Sequence, residues 1–197
     1  MTAKNTFILW FVIYITLSVI SQFLTTTPIH LFTISSVAIW MPLSALTLVP
    51  LVDVFRSFTQ HHGERAGLQF KHVGSLMMVT TFVVSGLCVM FAGLPLPIFV
   101  GVLAAVTIGG AFDILVFRHM GKYFNNPVAR MAFSNLMATL VGSGIVFLVA
   151  FTDVFFANNT MARPVHEVIV GWLSQSTFIY LSGLTLAFIT SKLTKTK

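Results

Sequence analysis

The sequence predicts an all-α polytopic membrane protein of six transmembrane helices, and three observations carry that expectation. Of 197 residues, 56% are apolar and only 8% are Asp, Glu, Lys or Arg, about a third of the charged share of an average soluble domain. The mean hydropathy is +0.93, and a water-soluble fold of this size needs more polar surface than that leaves. Finally, six apolar runs of about 20 residues, the length that crosses the hydrocarbon core, follow one another along the chain. Helices are expected because each satisfies its own backbone hydrogen bonds inside lipid. The alternation of a membrane barrel is absent.

The first span, Phe7–Leu24, follows Lys4 as a signal peptide would. It exceeds the usual apolar core of such a peptide and no small-residue cleavage site follows, so a retained helix is expected. The second, Ile29–Val52, contains Pro42 and Pro50. Each proline frees a carbonyl four residues earlier, at Ala38 and Leu46, which reads as a kink or as broken backbone lining a ligand site. The third and fourth spans, Val73–Leu94 and Pro97–Phe117, are joined by the uncharged turn Gly93-Leu94-Pro95-Leu96-Pro97. The fifth is Ala132–Thr152 and the sixth Val168–Thr190. Asp53 to His72 reads as a polar connection with room for a short surface helix, too small for a core of its own.

Charge then sets the orientation. Lys4, Arg56, Arg65, Lys71, Arg118, Lys122, Arg130, Lys192, Lys195 and Lys197 fall on one side of this arrangement and Arg163 alone on the other, ten of eleven basic residues. The positive-inside rule makes the richer side cytoplasmic, with both termini on it. The net charge of +6 is accounted for by topology, and nucleic-acid binding is not expected. The single cysteine, Cys88, cannot form an intrachain disulfide.

Asp113 is the one formally charged residue inside a predicted span. An aspartate at mid-helix costs about 2.5 to 3.5 kcal/mol to insert, so its default reading is functional; the structural alternative is pairing with Arg118 or Arg56. Gly101, Ala105, Gly109 and Asp113 recur every four residues, so the carboxylate shares a face with small residues that admit a neighbouring backbone. Asp53 stands closer to water, and Asp53-Val54-Phe55-Arg56 is echoed by Asp113 with Phe117-Arg118. In the fifth span Ser134, Ala138 and Gly142 form a second small-residue row, and Asn135 is placed to hydrogen-bond either a ligand or a neighbouring helix. Gln175 is a weaker candidate of the same kind, and Trp40 is an aromatic able to stack on a planar ligand.

His61-His62 with Glu64 lacks the spacing of a helical zinc site, no HExxH occurs, and His30, His72, His119 and His166 are scattered. With no P-loop, GxGxxG or Ser-His-Asp pattern either, the sequence predicts no metal, no cofactor and no enzyme.

Two separated motifs nevertheless carry a resemblance. Pro42-Leu43-Ser44-Ala45-Leu46-Thr47, running to Asp53 and on to His62-Gly63-Glu64-Arg65-Ala66-Gly67, resembles a signature of the queuosine precursor transporter family, earlier known as a vitamin uptake transporter family. Ala111-Phe112-Asp113-Ile114-Leu115-Val116-Phe117, continuing to Arg130, Ser134-Asn135 and Gly142-Ser143-Gly144-Ile145-Val146-Phe147, is similar to a second. The likeness covers about Pro42 to Phe147. It departs at Arg56, Gly110 and Gly142, where members usually carry acids.

The resemblance implies import of a 7-deazaguanine such as preQ0 or preQ1 across the bacterial inner membrane. Asp53 and Asp113 would accept the paired N–H donors of a guanine-like edge, Asn135 would read a carbonyl or ring nitrogen, and an aromatic would stack. The alternatives are a transporter for another small molecule, such as a vitamin, or a membrane substrate-binding subunit. The partners expected are a purine-like substrate and the lipid bilayer, and a homo-oligomer is compatible with the sequence.

Overall fold

The computed structural model describes residues 2–24, 28–34 and 37–195, with the backbone alone at some positions that include most of the segment 28–42. Six helices and two strands make up the described chain: α1 (Ala3–Leu24), β1 (Pro28–Ile34), β2 (Val37–Pro42), α2 (Leu43–Arg65), α3 (Phe70–Ala92), α4 (Leu96–Met120), α5 (Pro127–Ala150) and α6 (Val165–Lys195).

The helix boundaries follow local chemistry. Gly93 closes α3 in the left-handed conformation, φ 64°, which glycine adopts without a Cβ clash. Pro97, in the first turn of α4, costs no hydrogen bond because that N–H has no helical partner. Asn126 caps α5, its side chain accepting from Val128 N at 3.0 Å ahead of Pro127, a standard start for a helix. Most helices run a turn past the apolar spans, since helix formation does not stop where hydrophobicity does.

The second span departs from expectation. Ile29–Val52 is not one helix: its first half is an antiparallel hairpin pairing Pro28 with Pro42, His30 with Trp40 and Ile34 with Val37, irregular between His30 and Phe32. The fold is therefore helical, with one two-stranded hairpin ahead of α2. The run is rich in Ile, Val, Thr, Phe and Trp, which suit a pleated strand, and its two prolines sit at the strand ends, where no ladder donor is lost. Pro42 thus precedes α2 instead of kinking it, while Pro50 does lie inside the helix. The stretch from Asp53 to Arg65, expected as a connection, is helical, so Arg56 is no loop residue but a buried one, 7% exposed.

Among the described residues, four helices are long and apolar enough to cross a membrane: α1, α4, α5 and residues 165–189 of α6. They carry large apolar side chains outward, among them Val12, Phe23, Phe112, Leu115, Leu148 and Leu181, a surface that suits lipid rather than water. α2 is different. It touches all five other helices and buries Ser44, Asp53, Arg56, Ser57, Thr59 and Gln60. The most polar helix is therefore the central one.

Two apolar clusters flank α2. Phe7, Tyr14, Val73, Met77 and Ile114 pack between α1, α3 and α4. Val54, Phe58, Phe117, Met131 and Ala187 join α2, α4, α5 and α6. Beside the second cluster Arg130 donates from Nη1 and Nη2 to the two Glu64 oxygens at 3.0 and 2.9 Å, and from Nε to the Phe117 carbonyl at 3.1 Å. Its guanidinium also lies 4.0 Å from the Phe117 ring centroid. Glu64→Ala should lower stability by about 1–3 kcal/mol, less than a fully buried pair because a third of the Glu64 side chain (33%) meets solvent. Thermal unfolding of the purified protein checks this, and Glu64→Gln should recover part of the loss.

Candidate functional site

A cavity of about 640 Å³ runs through the bundle. At one end its lining comes from the α3–α4 turn, Leu94 and Pro95, and from Met161, Arg163 and Glu167 around the start of α6. At the other end it reaches Tyr14, Asp53 and Arg56. Helix α2 continues past Arg56 to Glu64, eight residues or about 12 Å further, through the apolar cluster of Val54, Phe58 and Phe117.

Arg56 organises the inner end. Its Nε donates to Asp113 Oδ2 and its Nη2 to Asp53 Oδ1, both at 2.6 Å. The guanidinium fork suits two carboxylates at once in a way a lysine ammonium does not. Asp53 lies one helical turn before Arg56 on α2, and Asp113 arrives from α4 because Gly101, Ala105 and Gly109 let α4 sit close against α5. A β-carbon on Gly109 would lie 3.1 Å from Gly142 Cα and 3.2 Å from the Ala138 carbonyl. The row Ser134, Ala138, Gly142 is thus the counterpart of the row that ends in Asp113.

Polar groups continue along the walls. Tyr14 of α1 hydrogen-bonds Thr81 of α3, and Gln22 donates from Nε2 to Ser85 Oγ at 3.2 Å. On the opposite wall Ser143 of α5 and Ser176 of α6 share a hydrogen bond of 2.6 Å. Two buried oxygens on the cavity lining, Gln22 Oε1 and Thr139 Oγ1, have no protein partner. A buried polar atom without a protein partner is a candidate for a ligand or for water. Phe147 and Phe151 add aromatic surface toward the other end.

Of the residues singled out in the sequence, Asp53 and Gln175 line the cavity. Asp113 is fully buried behind Arg56 and does not line it. Its pairing with Arg56 is one of the two structural alternatives named above. Asn135 is 3% exposed with Oδ1 unpartnered. It sits one turn from Thr139, where a β-carbon on Gly183 would meet both Asn135 Nδ2 and Pro50, and is not part of the cavity wall. Trp40 falls in β2, and its side chain lies outside the described residues.

Sequence reasoning missed the contribution of α1. Tyr14, Ser18, Ser21 and Gln22 line the cavity from that helix. The signal was present as a polar stripe at positions i, i+4, i+7 and i+8 of an otherwise apolar helix. Among the described residues no group of three or more His, Cys, Asp or Glu is placed to hold a metal ion. No protein-family model, curated protein or solved structure matches this chain. The likeness to the queuosine precursor transporters therefore rests on the motifs themselves.

Proposed function

We propose that this chain is an inner-membrane transporter that imports a purine-like small molecule, a queuosine precursor such as preQ0 or preQ1. The observation that carries the reading is the cavity, whose walls place a buried ionic cluster and unpartnered polar oxygens inside a bundle faced with apolar side chains. Its volume lies in the range of small-molecule sites, about 300–1,000 Å³. A deazaguanine offers adjacent N–H donors on one edge. Among the lining residues Asp53, Gln22 and Thr139 carry acceptor oxygens, and Phe147 supplies a ring for stacking.

In this reading all six helices cross the bilayer. At 23 residues α2 and α3 are each long enough, and α2 is free to be polar because its neighbours shield it from lipid. Both termini lie in the cytoplasm. With Arg56 inside the protein, nine basic residues (Lys4, Arg65, Lys71, Arg118, Lys122, Arg130, Lys192, Lys195 and Lys197) still share that side. The hairpin then lies on the outer face, where water reaches the free strand edges.

The test is uptake. The chain is expressed in a bacterium that can neither make nor import the precursor, preQ0 or preQ1 is supplied, and queuosine is measured in tRNA. Restored queuosine supports the reading. Thr139→Val, which keeps the shape and removes one acceptor, should raise the half-saturating concentration about fivefold, the equivalent of about 1 kcal/mol. No queuosine from a well-expressed, membrane-inserted protein sinks this substrate.

A further inference from the structure

The charge at the inner end of the cavity does not balance. Asp53, Arg56 and Asp113 are 8%, 7% and 0% exposed, and two carboxylates meet one guanidinium through the two 2.6 Å contacts. With both acids ionised the cluster carries a formal charge of −1. The surroundings do not cancel it. Asp113 extends from α4, α2 presents Asp53 and Arg56, and α1 presents the neutral Tyr14 phenol, bonded to Thr81. From α3 the neighbours are the apolar Met77 and Met78, and from α5 the only charged side chain, Arg130, is occupied by Glu64 and the Phe117 carbonyl.

Geometry also shows where the imbalance sits. Asp113 Oδ2 is held by Arg56, whereas Asp113 Oδ1 is fully enclosed and has no hydrogen-bond partner. An ionised oxygen enclosed without a donor is the arrangement that costs most in a protein interior. Protonation removes the charge. A bare metal cation fits poorly, because hard cations take six or more oxygen ligands and the helix carbonyls around Asp113 are already used within α4.

We propose that the Asp53–Asp113 pair holds one exchangeable proton and that the transporter moves that proton together with its substrate. The proton comes from cavity water at Asp53, which lines the cavity. Arg56 bonds both acids, so an O–H on Asp53 leaves the guanidinium to balance Asp113 and the cluster neutral. That bond forms on the loading side and breaks on release, a hydronium supplying the proton and water taking it, with no electrons transferred. Enclosing a neutral cluster is far cheaper than enclosing an anionic one, so the cavity closes readily on substrate only with the proton aboard. The coupling rests on the transport reading above, whereas the bound proton does not.

Two experiments separate these claims. Infrared spectroscopy of the purified protein in lipid at neutral pH should show the C=O stretch of a protonated carboxylic acid, lost in both Asp53→Asn and Asp113→Asn. Each variant leaves one acid against one guanidinium. Should a variant not fold, aspartate-selective carbon-13 labelling of the unsubstituted protein must shift the band. No such band, a band that survives both substitutions, or one that ignores the label overturns the proposal. In proteoliposomes, adding preQ1 or preQ0 outside should alkalinise the external medium, and a protonophore should abolish accumulation while replacing sodium by choline leaves it intact. Substrate uptake with no pH change, or uptake that needs sodium and survives the protonophore, overturns the coupling. Liposomes that take up neither compound instead count against the substrate assigned under Proposed function, and the infrared result stands by itself.

Discussion

Arg56→Ala should destabilise the protein more than any other single truncation in the bundle. It leaves the Asp53 and Asp113 carboxylates buried together with no counter-charge. Removing one partner of a buried ion pair costs about 3–5 kcal/mol, and here two partners lose their cation at once. For a chain of this length that is a fall in Tm on the order of 10 °C, measured on protein purified in detergent. Arg56→Lys should recover only part of the loss, because an ammonium cannot reproduce the fork that reaches both acids. Arg56→Ala combined with Asp113→Asn should be more stable than Arg56→Ala alone, since it removes one of the stranded charges. Acidification should also help the single variant, because protonating a carboxylate that remains ionised removes its uncompensated charge. A Tm within a degree or two of the unsubstituted protein would mean that the cluster contributes nothing to the fold.

The second large effect is steric. Gly109→Leu should prevent α4 and α5 from packing, because even the first carbon of the new side chain meets backbone at 3.1 and 3.2 Å. Backbone on both sides of a tight crossing cannot rotate away as a side chain can. Gly109→Ala should already cost about 1–3 kcal/mol, the range for overpacking a filled interior. Gly142→Ala, across the same seam, is the control. Its added carbon meets the Ala105 carbonyl at 3.5 Å and Gly109 Cα at 3.8 Å, ordinary contact distances, so it should melt close to the unsubstituted protein. The order expected in thermal unfolding is Gly142→Ala, then Gly109→Ala, then Gly109→Leu with little folded material. Equal behaviour of the two alanine variants would show that the seam is slack.

That seam was legible in the sequence because it depends on a simple periodicity. Gly101, Ala105 and Gly109 on one helix, and Ser134, Ala138 and Gly142 on the next, announce a close crossing whatever surrounds them. Asp113 was legible for a related reason, as the single charge in an apolar run placed at the end of that row. The central helix was not. Hydropathy reports how much of a segment lipid can face, and α2, enclosed by five neighbours, is released from that requirement. The apolar stretch before it drew the span too early, although its Ile, Val and aromatic content is equally that of a strand. Arg56 was obscured by its company, since an arginine just beyond an apolar run reads as a topology signal. On α1, Tyr14, Ser18, Ser21 and Gln22 were diluted by the apolar residues between them. Asn135 and Thr139 share a face of α5, but only Thr139 is level with the cavity. Composition cannot report depth along a helix.

The closeness of α4 and α5 has a mechanical consequence. Two helices in backbone contact at Gly109 and Gly142 act as one stiff slab, so a cavity bounded by them on one side changes width chiefly by movement of what lies opposite, α1 and α2. The contact of α2 with α4 is sparse, and the Arg56–Asp113 bond spans it. Arg56 is therefore the clasp between a fixed wall and a mobile one. Any widening of the chamber stretches that bond before it disturbs the packing of either wall.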